Sequence, residues 1–113
     1  MKKFVFRLST VLKVREKEED EAKKELAKTI KEVEVLSDKI QSYYQERIKI
    51  GDDYKELVQL GYVEEFGNCL YYLQNLSEKI SGLEEELMKL QNVLAKKRSL
   101  LMEARKKVQS LLT

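Results

Sequence analysis

The residues able to do chemistry in this chain are carboxylates, lysines, arginines and tyrosines. There is no histidine, and Cys69 is the only thiol. Carboxylates stand side by side at Glu84, Glu85 and Glu86 and at Asp20 and Glu21. Paired carboxylates can serve as general acid and base, but only where a shielded pocket raises the pKa of one of them. On a charged helix the same spacing describes a solvated face. Lys96, Lys97 and Arg98 with Arg105, Lys106 and Lys107 form a basic run suited to phosphate, yet apolar residues at regular spacing continue straight through it. A basic region that enters a DNA groove projects beyond its zipper instead. A lone cysteine without histidine is a small packed side chain more often than a nucleophile, and it cannot staple the chain. These features argue for a non-enzymatic protein without cofactor or metal, and against a nucleic-acid partner.

What must position such residues is helix. The 113 residues are 37% charged, with no proline and four glycines, and they carry a net charge of +2. That composition suits long helices better than a compact mixed fold. The opening MKKFVFRL begins like an export signal, but Arg7 breaks the apolar run early, so no signal is expected. No stretch reaches the length of about 20 apolar residues that spans a bilayer.

With Leu73 at heptad position a, the a positions are Leu73, Ile80, Leu87, Leu94, Leu101 and Val108. The d positions are Leu76, Leu83, Leu90, Lys97, Ala104 and Leu111. Only Lys97 is polar, and a 3.5-residue period kept this long is the signature of a coiled coil. The first half repeats it with Leu26, Val33, Ile40, Arg47 and Tyr54 at a, and Ala22, Thr29, Leu36, Tyr43, Ile50 and Leu57 at d. A helix from about 4 to 60, a tip at about 61–68 and a second helix at about 69–112 are therefore expected, with Gly61 ending the first helix, Asn68 capping the second and Gly51 a candidate bend. The fold class is all-α, an antiparallel coiled-coil hairpin forming a single domain over 1–113.

Charge supports the antiparallel arrangement. Glu16 to Glu25 hold six acidic and three basic residues, and Lys96 to Lys107 hold six basic and one acidic. Folding back near Gly61 makes residue i face about residue 122 − i, which brings Lys97 beside Glu25 and sets register more than stability. A domain-swapped dimer shares the same seam; a monomer is expected. Tyr44 at e, Tyr71 at f and Tyr72 at g fall outside the seam, and tyrosines offer contact area at low rotamer cost.

The run FVFRLSTVLKVREKEED, Phe4 to Asp20, followed by Ala22, Leu26 and Ala27, resembles the opening of the flagellar export protein FliJ family. Tyr72 to Leu76 and Leu101 to Lys107 are similar to its second helix. The resemblance implies a stalk of the type III export apparatus that binds the hexameric export ATPase and promotes its assembly. It also implies contact with the cytoplasmic domain of the export-gate membrane protein, escort of substrate chaperones, and a cytoplasmic location at the inner face of the cell membrane. Carried over residue by residue, gate contact falls on Tyr44, Ile48, Tyr72 and Leu76. ATPase contact falls toward the paired termini, on Phe4, Phe6, Arg7, Arg105 and Lys106. The competing reading is a generic structural or secretion-related rod of another assembly.

Overall fold

The structure, a computed structural model, describes residues 2–112; Met1 and Thr113, the ends of the expected domain, lie outside them. It is all-α, with α1 at Lys2–Leu60 and α2 at Val63–Leu112, packed against each other as an antiparallel coiled coil. Leu, Glu, Lys and Ala supply the helix propensity, and the absence of proline lets both helices run for many turns. Helical hydrogen bonding continues through Gly51, so the glycine there does not interrupt α1.

The turn between the helices is shorter than expected. Gly61 takes φ +78°, the left-handed conformation that glycine adopts without the penalty of a Cβ. Its N–H donates to the Val58 carbonyl at 3.2 Å, and the Tyr62 N–H donates to the Leu57 carbonyl at 3.1 Å. These are the two bonds of a Schellman motif, and they satisfy carbonyls that the end of α1 leaves open. Tyr62 then opens the next helix, its carbonyl accepting from the Phe66 N–H at 3.0 Å. Thus α2 begins at Val63, not near 69; the expected tip of 61–68 reduces to Gly61 and Tyr62, and Asn68 lies inside the helix instead of capping it. Glu64 and Glu65 occupy the first turn, where the helix dipole favours negative charge.

The chain divides into two compact units, each an antiparallel pair of helical segments. One comprises residues 33–89 and contains the turn. Its seam is the expected one, with Ile40, Leu76 and Ile80 buried and Leu73, Leu83 and Leu87 half-buried. Because α2 starts early, the seam extends back one heptad to Phe66 and Cys69, both half-buried, and the Phe66 ring meets Tyr54 edge-to-face at 6.0 Å.

The other unit comprises residues 1–32 and 90–113. Leu101, Ala104 and Val108 are buried, and Leu90 and Leu94 half-buried. Thr29, at d, is 5% exposed and places its hydroxyl 3.0 Å from the Glu25 carbonyl, so the buried oxygen is satisfied within its own helix. Lys97 reaches Glu25 Oε2 at 3.3 Å, the pair the antiparallel register requires, and Arg105 Nε lies 3.8 Å from Glu19. Arg15 pairs within α1, at 3.1 Å from Glu18.

Two outcomes follow from this packing. Ile80→Ala, at a site 2% exposed, is expected to cost about 2–3 kcal/mol in denaturant melts, the lower part of the range for a buried aliphatic because two helices relax more readily than a closed core. Glu85→Ala should change stability by less than about 0.5 kcal/mol. The glycines separate in the same assay. Gly61→Ala should destabilise by about 1 kcal/mol, since alanine resists the left-handed region. Gly82→Ala, in mid-helix with nothing within 4 Å of the added Cβ, should stabilise by about 0.5–1 kcal/mol.

Candidate docking surface

Tyr44 and Tyr72 flank the seam of the unit that contains the turn, and each bridges the two helices. The Tyr44 hydroxyl donates to Glu84 Oε1 on α2, while the Arg47 guanidinium stacks 4.7 Å from the Tyr44 ring centroid. Arg47 also approaches the Ser77 hydroxyl at 3.5 Å. On the other flank the Tyr72 hydroxyl donates to Glu46 Oε1 at 2.7 Å, and Lys79 Nζ sits 4.8 Å from the Tyr43 ring centroid. Tyr44 and Glu84 are both at e, Tyr72 and Glu46 both at g, so the two bridges lie on opposite sides of the stripe, as antiparallel pairing demands.

These bridges shift the phenols. Donation to Glu84 raises the pKa of Tyr44 above 10.0, because ionising the phenol would set two anions face to face. The bond to Glu46 raises Tyr72 in the same way. Lys79 is also raised, through its contact with Tyr43.

Ile48, one turn along α1 from Tyr44, is 65% exposed, and Tyr71 is more exposed than Tyr72. Leu76 differs from the other three residues carried over as gate contacts. At 4% exposure it fills the seam, and a partner could touch it only by parting the helices. In the unit that holds the termini, Phe4, Phe6 and Arg7 are exposed on α1, as are Arg105 and Lys106 on α2. Arg105 is partly engaged by Glu19, which also lies 3.5 Å from Lys23. Val5, Leu8 and Leu12 continue the a/d stripe past these residues, with Val5 and Leu8 exposed and Leu12 half-buried.

A family model described as flagellar FliJ protein matches residues 3–113. The chain belongs to the flagellar FliJ family. Membership makes it a structural component of the flagellar protein export apparatus. No curated protein and no solved structure matches it. Among the described residues of this FliJ-family chain, no helix is long and apolar enough to cross a membrane.

Sequence reasoning did not find the acceptors, Glu46 and Glu84, or the cations that cover Tyr43 and Tyr44. The signal was present in the e-to-e and g-to-g neighbours of the antiparallel register. Phe66 and Cys69 were recoverable too, by counting back seven residues from Leu73 and Leu76.

The raised phenols give a signed pH dependence. A group whose folded pKa is raised contributes stability that is complete below its unfolded value, near 10 for tyrosine, and lost as pH rises through the folded value. The denaturant midpoint of the protein should therefore fall on going from about pH 10 to about pH 12. Absorbance titration near the phenolate band should show Tyr44 and Tyr72 ionising late, and Glu84→Gln should move one of the late phenols earlier.

Proposed function

We propose that this FliJ-family chain is the non-enzymatic stalk that binds the hexameric export ATPase, promotes its assembly and activity, and links it to the cytoplasmic domain of the export gate, with an escort role toward substrate chaperones. The family match over residues 3–113 is the observation that carries this reading. It also favours the export stalk over a generic rod of another assembly.

Chemistry on each unit supports the division of labour. The unit of residues 1–32 and 90–113 has sixteen basic and eight acidic side chains, and it presents exposed Phe4, Phe6, Arg7, Arg105 and Lys106. An apolar and cationic surface of this kind suits an ATPase face that offers carboxylates. In the unit of residues 33–89, Tyr44, Ile48 and Tyr72 stand outside the seam as anchors for the gate, while Leu76 holds the helix that carries Tyr72. Attachment at the inner face of the cell membrane then comes through these partners, with the chain acting as a monomer.

Calorimetric titration of the purified gate cytoplasmic domain with the whole chain tests the gate contact. Tyr72→Ala should weaken binding by about tenfold or more, as for an aromatic anchor, and Tyr71→Ala by no more than about twofold. Tyr72→Phe separates the ring from its bond to Glu46. Both alanine variants binding like the parent would move the gate contact off this face.

A further inference from the structure

The turn carries features that neither the seam nor the proposed contacts use. Val58, Leu60, Tyr62 and Val63 are exposed around Gly61, Leu60 to 61% and Val63 to 68%, although the Tyr54–Phe66 contact already closes the seam nearby. Apolar side chains gathered at a turn fixed by two backbone bonds form a patch that water solvates poorly.

The charge around the patch has one sign. Between Ile50 and Glu78 there are six carboxylates, Asp52, Asp53, Glu56, Glu64, Glu65 and Glu78, against the single lysine Lys55. None of the six takes part in an ion pair among the described residues. In the other unit three of the eight carboxylates are paired, Glu18 with Arg15, Glu19 with Lys23 and Arg105, and Glu25 with Lys97. The whole unit of residues 33–89 holds twelve acidic and six basic side chains.

We infer that the turn is a docking surface for a basic amphipathic helix of a partner protein, whose apolar stripe covers Leu60, Tyr62 and Val63 and whose lysines and arginines meet Glu64, Glu65, Asp52 and Asp53. The complementarity is in both terms: apolar area needs an apolar stripe, and unneutralised carboxylates need cations on its flanks. A bilayer with anionic lipids would be repelled by the same carboxylates. The chain's own basic N-terminal stretch contains Phe4, Phe6 and Arg7, proposed above for the ATPase. The turn surface shares no residue with those proposed for the gate, so the variants that test it leave Tyr44, Ile48, Tyr72 and Leu76 in place.

The test titrates the full chain with three synthetic peptides of about fourteen residues: an amphipathic Leu/Lys helix, the same pattern with Glu for Lys, and a scrambled Leu/Lys peptide that lacks an apolar face. The first should bind, the Leu/Glu peptide should not, and the scrambled one should bind at least about tenfold more weakly. Tyr62→Ser with Val63→Ser, and separately Asp52→Asn with Asp53→Asn, should each weaken the first peptide by about fivefold or more, whereas Glu85→Gln with Glu86→Gln should change it by less than about twofold. Circular dichroism of every variant should match that of the parent. The inference is overturned if the scrambled peptide binds equally well, if the Glu85 and Glu86 variant loses as much as the turn variants, or if no peptide binds. It is also overturned in favour of a second copy if sedimentation of the chain alone shows a dimer that the turn variants abolish, and in favour of lipid if anionic vesicles bind the parent and not those variants.

Discussion

Everything in this molecule rests on one stripe of side chains repeating every 3.5 residues on each helix. A two-helix pair has no second layer, so the a and d positions are the only places where apolar area leaves water on both sides. Even there closure is incomplete: among the described residues Ile80 is the most deeply covered, at 2% exposure, and no side chain is sealed off entirely. Stability must come from repetition along many layers, which is why single polar members such as Lys97 and Thr29 are tolerated when each finds a partner.

Because the stripe is narrow, the positions beside it do two jobs. Tyr44 and Tyr72 cover the flanks of the seam with their rings and tie the helices with their hydroxyls, and the same rings remain partly open to solvent. In a thick globular domain, packing residues and contact residues are different sets. Here a partner that engages an e or g tyrosine competes with Glu46 or Glu84 for its hydroxyl, so binding and helix pairing are coupled through the same bonds.

The heptad phase was legible because periodicity is a property of sequence itself. Every seam position counted from Leu73 and Leu26 is buried or half-buried, although the count stopped one heptad short of Phe66 and Cys69, and the register placed Lys97 against Glu25. Gly61 was legible for a similar reason, since glycine is the residue that ends a helix in the left-handed region. The start of α2 was not. Gly67, Asn68 and the clustered aromatics look like turn chemistry, but the Schellman bonds finish the turn in two residues, and burial of Phe66 and Cys69 against α1 outweighs the poor helix propensity of Gly67. Leu76 was legible as a seam residue, and at 4% exposure it is buried there. Partner surfaces leave no period behind them, so their assignment depended on resemblance in the segment Phe4 to Asp20 and not on spacing.

The two-residue turn also orders the chain in time. Pairs across the helices are separated by steadily more sequence with distance from Gly61: Tyr54 meets Phe66 first, then Glu46 meets Tyr72 at a sequence separation of 26, and Glu25 meets Lys97 at 72. The entropy of closing a loop grows with the logarithm of its length, but each pair formed shortens the loop left for the next. Gly61 is thus the hinge of a zipper, and the chain's contact order is low where it begins to close and high only where earlier layers have already brought the strands of helix together.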